Sequence, residues 1–445
     1  MRRPGNGLAL AMAALFVLAA STGPARAASP APSPAIPSTD AQTNALLTAL
    51  KNRDYPGAFK LFDSKMKEMV TEEKLKSLWE VQLAPLGRLV SWNMTAAPQQ
   101  GGYDVRLGTL KFENGELLST VAVDPKTGLI SGFYVKPATP RPPATPAPYV
   151  DATKFHAVEV HVGKDPYLLD GTLPLPKAAG PFPAVVLIHG SGPQDRDETI
   201  GANKVFKDIA EGLSSKGIAV LRYDKRTLKY GATMKGPVTL DMEVIDDALS
   251  AVGLLRSRQD IDPKRIFIIG HSLGAFLAPE IGVRAAPVAG VALMAPPGRS
   301  PYDIILAQLR YLGTPEKELA EVEQTINRIK AGKGDGETLL GASGSYWREW
   351  AARDETAMAK KLGRPILILH GDRDFQVLDE DIATWRKELA GTPNVEIVSF
   401  PGLSHLFIKG GGKPSPSEYD IPGHVEATVI DRLQSFIIPK AATAR

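Results

Sequence analysis

The chain has 445 residues, of which 43% are hydrophobic and 23% are charged, a balance typical of folded globular proteins and not of disordered chains. Lys and Arg number 52 against 49 Asp and Glu, so the formal net charge is only +3. This near-neutral charge argues against nucleic acid as a partner, because phosphate binding requires a clear basic excess. The chain has no cysteine, which excludes disulfides, thiolate metal ligands and a cysteine nucleophile.

The first 27 residues have the pattern of a secretory signal peptide. Arg2 and Arg3 precede an apolar run, Leu8–Ala20, and Ala25–Ala27 is an A-x-A cleavage site. As a helix this run would rise only about 20 Å, less than the roughly 30 Å of a bilayer core. We therefore expect an exported protein, periplasmic or secreted, with no stable membrane span and a mature chain that starts near Ala28. An uncleaved anchor is the alternative.

Two stretches rich in Pro, Ala, Ser and Thr, residues 28–39 and 137–148, are predicted to be linkers. Such a composition cannot build a packed core and favours extended chain. The linkers separate a small domain, residues 40–136, from a larger one, residues 149–440.

The small domain is predicted to begin with helices and to end in an antiparallel meander. Apolar periodicity indicates a helix from Asp40 and a second helix after Pro56 that extends to Met66, while Thr71 is placed to cap a third. The predicted strands are 89–94, 103–112, 117–123 and 129–135, with Asn114-Gly115 as a hairpin turn. This α+β order resembles the nuclear-transport-factor-like domain found ahead of some bacterial hydrolases. Because no catalytic cluster is visible here, we expect a binding or oligomerisation module.

Strands and helices alternate in the large domain. Short Val/Ile/Leu runs predict strands buried on both faces of a mostly parallel sheet, at residues 183–189, 217–223, 265–270, 288–294, 365–370 and 395–400. Amphipathic stretches predict helices at 204–216, 241–257 and 272–286, and an antiparallel pair, 156–162 and 167–175, leads the sheet. The pattern is that of a doubly wound α/β sheet. Residues 298–363 interrupt it and are predicted to form a helical cap, whose aromatic residues either line a substrate pocket or pack as the core of the cap.

Ser272 is the predicted nucleophile. It lies at the centre of Gly270–Gly274 (G-H-S-L-G), between a predicted strand and a predicted helix. In that context Gly-x-Ser-x-Gly is a nucleophile elbow, a tight turn that raises the serine oxygen above the sheet edge. The turn also directs the positive end of the following helix toward developing negative charge.

A nucleophilic serine requires a base, and the base requires an orienting acid. Of the seven histidines, His405 follows the last strong strand, where the carboxyl edge of the sheet places a base; His424 is the alternative. The predicted acid is Asp374, in the loop after strand 365–370, with Asp372 as the alternative. The acidic run Asp379–Asp381 is interpreted as the solvated start of a helix.

The predicted oxyanion hole consists of two backbone N–H groups, those of Leu273 and Ser191. Ser191 lies in a Gly-rich loop, His189–Pro193, that follows an early strand, and Gly192 is the alternative donor. No spacing of His with Asp or Glu matches a zinc-type site, so we expect neither a metal nor a cofactor.

Four stretches of the sequence resemble the α/β-hydrolase superfamily: the segment His189–Arg226 and the motifs GHSLGA, HGDRD and PGLSHLF. Within it the chain resembles bacterial carboxylesterases of the EstD type, and is also similar to serine aminopeptidase-like and dienelactone-hydrolase-like groups. The resemblance implies Ser272, Asp374 and His405 as catalytic residues. It implies a serine hydrolase that cleaves small or short-acyl carboxylic esters through an acyl-enzyme, and the signal-peptide pattern adds that this hydrolase is exported. A peptidase or acyltransferase with the same triad is the alternative. One rim loop departs from the pattern, since Thr227–Gly231 replaces the usual Gly-x-Gly.

Overall fold

A computed structural model describes residues 37–100, 102–137, 145–334 and 336–439. The predicted signal peptide and parts of both predicted linkers lie outside the described residues. The chain divides into two compact units whose boundary in the sequence falls between Arg141 and Pro142. Within the described ranges, no helix is long and apolar enough to cross a membrane.

The N-terminal unit has helices first and an antiparallel sheet second. Its helices are α1 (Thr39–Lys51), α2 (Tyr55–Lys60), α3 (Ser64–Met69) and α4 (Glu72–Ser77). Its strands are β1 (Leu89–Gln100), β2 (Tyr103–Phe112), β3 (Gly115–Val123) and β4 (Ile130–Pro137), paired in the order β1-β2-β3-β4. The predicted α+β unit is confirmed, and its core includes Leu46, Phe62, Leu110 and Val121, all completely buried.

The helix predicted after Pro56 is in fact two helices. The Asp63 carboxylate accepts a hydrogen bond of 2.8 Å from the Met66 N–H, and this cap starts α3 separately from α2. Periodicity alone missed the break because the apolar spacing continues across it. Thr71 caps α4 as predicted, since its hydroxyl accepts a hydrogen bond of 3.2 Å from the Lys74 N–H.

The C-terminal unit is a mixed α/β structure. Its strands are β5 (Phe155–Lys164), β6 (Tyr167–Pro176), β7 (Phe182–Ile188), β8 (Thr199–Ile200), β9 (Asn203–Lys204), β10 (Ala219–Tyr223), β11 (Ile261–His271), β12 (Gly290–Met294), β13 (Thr338–Leu339), β14 (Ala342–Ser343), β15 (Ile366–Gly371) and β16 (Val395–Phe400). Its helices are α5 (Val205–Ser214), α6 (Arg226–Tyr230), α7 (Asp246–Ser257), α8 (Leu273–Arg284), α9 (Pro301–Tyr311), α10 (Glu316–Lys330), α11 (Gly344–Ala351), α12 (Glu355–Leu362), α13 (Asp379–Glu388) and α14 (Ala427–Ile437).

The central sheet has eight strands in the order β16-β15-β12-β11-β7-β10-β6-β5. Strands β10, β7, β11, β12, β15 and β16 are parallel, whereas β5 and β6 pair antiparallel with each other and β6 with β10. Every residue of β7 and β12 is buried, as both faces of a parallel sheet require. The predicted doubly wound sheet and its leading antiparallel pair are confirmed.

Sheet register brings the predicted catalytic loops to one edge. Gly270 pairs with Ile188 in β7, and Gly371 pairs with Phe400 in β16. The loops that follow these four strands carry the predicted nucleophile, oxyanion donor, acid and base. They therefore emerge together at the carboxyl edge of the sheet.

The predicted insertion contains helices α9–α12 and the short hairpin β13–β14. Its aromatic residues Tyr346, Trp347 and Trp350 are buried, and the two tryptophan rings stack with centroids 5.6 Å apart. Trp347 also donates its indole N–H to the Leu339 carbonyl at 2.8 Å. Of the two roles expected for these aromatic residues, packing in the core of the insertion therefore explains the position of Trp347.

Candidate active site

Ser272 occupies a strained turn between β11 and α8. Its backbone has φ 53° and ψ −117°, a combination that residues other than glycine rarely adopt. The two flanking glycines are required by close backbone approach. A Cβ on Gly270 would lie 2.1 Å from the Gly274 carbonyl oxygen, and a Cβ on Gly274 would lie 2.1 Å from the Ile188 carbonyl oxygen. These contacts give the physical reason for both glycines of the motif.

His405 and Asp374 form a direct, buried pair. The His405 Nδ1 lies 2.6 Å from Asp374 Oδ2. The other carboxylate oxygen accepts hydrogen bonds from the Gln376 N–H at 2.8 Å and the Val377 N–H at 2.9 Å. The Asp374 carboxylate is thus fixed at both oxygens. It can hold a proton on the Nδ1 of His405, which leaves the Nε2 of the same ring as the basic nitrogen.

The loop that carries His405 is held against the elbow by His271. The His271 Nε2 lies 3.0 Å from the His405 carbonyl oxygen, and the two imidazole rings have centroids 4.7 Å apart. Among the described residues, the Ser272 hydroxyl makes no hydrogen bond to His405. Such bonds are often long in hydrolases without substrate and tighten in the reacting complex.

The two alternative candidates have other partners. Asp372 is exposed and accepts a hydrogen bond of 2.7 Å from the Gly402 N–H, so it shapes a loop. The His424 Nδ1 lies 3.1 Å from both carboxylate oxygens of Asp208 on α5. The structure places Asp374, and not Asp372, against His405.

The loop after β7 lies close to the nucleophile. A Cβ on Gly190 would be 3.3 Å from the Ser272 Cβ. The Gly192 N–H, the alternative oxyanion donor, already donates to Glu243 Oε1 at 3.1 Å. By contrast, the Ser191 N–H has no hydrogen-bond partner among the residues that the structure describes. Leu273 is the first residue of α8, so helix geometry leaves its N–H without an intrahelical acceptor.

A buried acid behind the site was not anticipated from the sequence. Glu198 Oε1 accepts the Gly190 N–H at 2.8 Å, and its other oxygen lies 3.0 Å from His271 Nδ1. Burial alone would lower the pKa of His271, but the Glu198 carboxylate outweighs burial and the pKa lies above its ordinary value. Burial alone would raise the pKa of Glu198, yet the His271 charge holds this pKa below its ordinary value. The two side chains are therefore a buried acid–base pair in which each favours the charged form of the other.

A second buried pair, Lys225 and Glu243, lies beneath the same loop. The Lys225 Nζ donates to Glu243 Oε1 at 2.6 Å, and both side chains are almost inaccessible. The sequence places Lys225 within the segment that resembles the superfamily, but no spacing rule links it to Glu243.

The interpretation of Asp379–Asp381 as solvated is wrong for Asp381, which is completely buried. Its Oδ1 accepts the backbone N–H of Gly298 at 3.0 Å and of Arg299 at 2.9 Å, and its Oδ2 pairs with the Arg299 guanidinium at 2.8 Å. Asp381 thus anchors the start of the insertion. Its position in an acidic helix start gave no sign of this long-range contact.

Among the described residues, no cluster of three or more His, Asp or Glu side chains could hold a metal ion. The chemistry that the arrangement itself supports is nucleophilic attack by a serine hydroxyl. A buried imidazole–carboxylate pair would take the proton, and two backbone N–H groups would face the resulting negative charge.

Comparison with known proteins places the chain in a family. A model described as the alpha/beta hydrolase family matches residues 185–410, and a family described as protein of unknown function (DUF3887) matches residues 44–131. Esterase EstD of Thermotoga maritima is 39% identical over 398 residues, which cover 87% of this chain and 93% of that protein. Among solved structures, Est1E of Butyrivibrio proteoclasticus is 19% identical, with a TM-score of 0.42, over 63% of this chain and 97% of its own. The Pyrococcus furiosus esterase Pf2001 is 18% identical, with a TM-score of 0.42, over 64% and 90%. On the family match and the relative from Thermotoga maritima, this chain belongs to the alpha/beta hydrolase family.

Proposed function

We propose that the protein is a serine carboxylesterase whose triad is Ser272, His405 and Asp374. The observation that carries this proposal is the buried His405–Asp374 pair, 2.6 Å between Nδ1 and Oδ2, in a loop held against the elbow of Ser272. The relationship to Esterase EstD over most of both chains supports an ester as the substrate. The proposed substrates are small or short-acyl carboxylic esters.

In the proposed acylation step, His405 Nε2 takes the proton of the Ser272 hydroxyl as its oxygen attacks the ester carbonyl carbon. Asp374 keeps the proton on Nδ1 and stabilises the imidazolium that forms. The carbonyl oxygen becomes an oxyanion and accepts hydrogen bonds from the N–H groups of Ser191 and Leu273. Collapse of this intermediate breaks the bond to the alkoxy group, which takes the proton from His405 and leaves as the alcohol.

In the proposed deacylation step, water replaces the alcohol. His405 takes a proton from the water as its oxygen attacks the acyl carbon, and then returns the proton to the Ser272 oxygen. The carboxylic acid is released and the free hydroxyl is restored. His405 exchanges each proton with Ser272, the leaving alcohol or the attacking water, so the cycle requires no metal-activated water.

A substrate panel tests this proposal against peptidase and acyltransferase activity. Turnover of 4-nitrophenyl esters of increasing acyl length is compared with that of aminoacyl and prolyl 4-nitroanilides, with added short alcohols as acyl acceptors. We expect hydrolysis of the short-chain esters and no turnover of the anilides. Ser272→Ala, prepared in parallel, measures contamination. Anilide turnover faster than ester turnover would assign a peptidase, and acyl transfer exceeding hydrolysis would assign a transferase.

We also propose that the protein is exported, from the basic, apolar and A-x-A pattern of residues 1–27. Expression of the full chain with its native N-terminus, followed by N-terminal sequencing of the periplasmic fraction, tests this. The expected N-terminus is Ala28. Recovery of the intact chain from the cytoplasm alone would contradict export.

A further inference from the structure

The Lys225–Glu243 pair has a specific relation to the loop that carries Ser191. Lys225 follows β10, which neighbours β7 in the sheet, so its side chain lies beneath the loop after β7. Its ammonium has three N–H donors, and the structure uses all three: the Gly190 carbonyl at 2.6 Å, the Gly192 carbonyl at 2.9 Å and Glu243 Oε1 at 2.6 Å. One buried cation therefore binds the carbonyl groups on both sides of Ser191.

Glu243 binds the same loop from its N–H side. The oxygen that accepts the Lys225 ammonium also accepts the Gly192 N–H at 3.1 Å. Glu243 lies in a π-helical turn, Asp241–Ile245, directly before α7. Single π-helical turns are rare overall but are frequent at functional sites.

These contacts fix the direction of the Ser191 N–H. The peptide bond between Gly190 and Ser191 is trans, so its C=O and N–H groups point in opposite directions. Because the Gly190 C=O points to Lys225, the Ser191 N–H in the same peptide plane points away from Lys225. With the Gly192 N–H bound to Glu243, Ser191 is the donor that the loop leaves for a substrate oxygen.

The insertion also reaches this pair. Burial raises the pKa of the Tyr346 phenol well above its ordinary value, and the adjacent Glu243 carboxylate raises this pKa further. A residue of α11 thus lies near enough to the carboxylate that holds the loop after β7 to be influenced by its charge.

We propose that Lys225 and Glu243 are positioning residues of the oxyanion hole, which hold the Gly190–Gly192 loop so that the Ser191 N–H faces the oxyanion formed at Ser272. This inference rests on the proposed esterase function and deepens it. Loss of a purely structural pair would lower the stability of the fold alone. Loss of a positioning pair would also weaken binding of the transition state.

A matched control lies at the next residue in the chain. The Arg226 guanidinium and the Asp247 carboxylate form another buried pair, 2.5 Å apart, with side chains 9% and 2% exposed. In the described residues this pair makes no hydrogen bond to the loop that carries Ser191. Arg226→Met therefore removes a comparable buried cation and leaves the Lys225 contacts in place.

The experiment compares Lys225→Met with Arg226→Met by steady-state hydrolysis of a short-chain 4-nitrophenyl ester. It also measures the inhibition constant of a trifluoromethyl ketone, which adds to the catalytic serine and forms a tetrahedral oxyanion. For Lys225→Met we expect kcat to fall by about 10²–10³-fold and the inhibition constant to rise by a similar factor, with KM changed by less than about threefold. For Arg226→Met we expect kcat within about threefold of the wild-type value.

The double variant Lys225→Met/Glu243→Gln removes the carboxylate charge that the single change leaves buried and unpaired. If the single variant does not fold, the double variant still tests whether loss of Lys225 lowers kcat, and the same loss of kcat is expected. A folded variant without Lys225 that keeps kcat within about threefold would overturn the inference, as would an equal loss of kcat in Arg226→Met. Failure of the proposed esterase function would be seen separately, as wild-type ester turnover that Ser272→Ala does not reduce.

Discussion

Asp374→Asn is the substitution that most sharply separates the role of the acid from its structural contacts. An asparagine at this position keeps an oxygen that can accept the Gln376 and Val377 N–H groups, so the loop retains both bonds. It replaces the oxygen that lies 2.6 Å from His405 Nδ1 with an NH₂ group. That NH₂ group can only donate, so His405 must carry its proton on Nε2, where it cannot accept the proton of Ser272.

The expected loss in kcat is roughly 10⁴-fold, which corresponds to about 5.4 kcal/mol of transition-state stabilisation. Because Asp374 does not touch the substrate in the proposed mechanism, KM should change little, and kcat/KM should fall by the same factor as kcat. The fold should lose no more than one charge-assisted hydrogen bond, about 1.5–3 kcal/mol of the free energy of unfolding. Steady-state kinetics and urea denaturation of the same preparation measure both quantities.

Asp372→Asn is the matched control, two residues earlier in the same loop. The hydrogen bond that its side chain accepts from the Gly402 N–H can be kept by the asparagine oxygen. We expect kcat within about threefold of the wild-type value. If Asp372→Asn were the more damaging change, or if Asp374→Asn kept a tenth of the activity, the assignment of the acid would be refuted.

Three further predictions concern stability, metals and domains. Burial and the neighbouring Glu280 carboxylate raise the pKa of Glu355 to about 8, so the folded protein holds this proton and loses stability as pH rises from the ordinary value of 4.5 toward 8. Urea denaturation measures the free energy of unfolding of Glu355→Gln and of the wild type. At about 1.36 kcal/mol per pKa unit, the variant should gain about 4 kcal/mol relative to the wild type between about pH 5 and pH 9. A difference that stays constant over this range would contradict the raised pKa of Glu355. Ester turnover should be unchanged by a chelator, and loss of activity that zinc restores would refute a metal-free mechanism. A fragment of residues 149–445 should be soluble and should hydrolyse a small ester; an insoluble fragment would show that the two units share a core.

Much of the site could be predicted because local chain geometry specifies it. The glycines of the elbow are needed because backbone carbonyl groups leave no room for a Cβ at positions 270 and 274, and the motif that meets this requirement is visible in five consecutive residues. The pairing of His405 with Asp374 could be anticipated on a different ground, since each residue follows a strand of a parallel sheet and the loops after such strands converge at one edge.

The buried ion pairs could not be predicted because no local pattern encodes them. Lys225 and Glu243 are 18 residues apart, and Arg299 and Asp381 are 82 apart. Each acid lies at or near a helix start, where acidic residues are common on exposed positions as well. Only the three-dimensional arrangement distinguishes Asp381, which is buried, from a solvated neighbour.

In the proposed mechanism, Ser272 is the nucleophile that carries the acyl group. Incubation with a fluorophosphonate, followed by peptide mapping with mass spectrometry, measures it directly. One phosphonyl group per chain on the peptide containing Ser272 is expected, together with complete loss of ester turnover. Ser272→Ala should remain folded, take up no label and lose about 10⁶-fold in kcat. A label on another residue, or ester turnover that survives in Ser272→Ala, would contradict the mechanism.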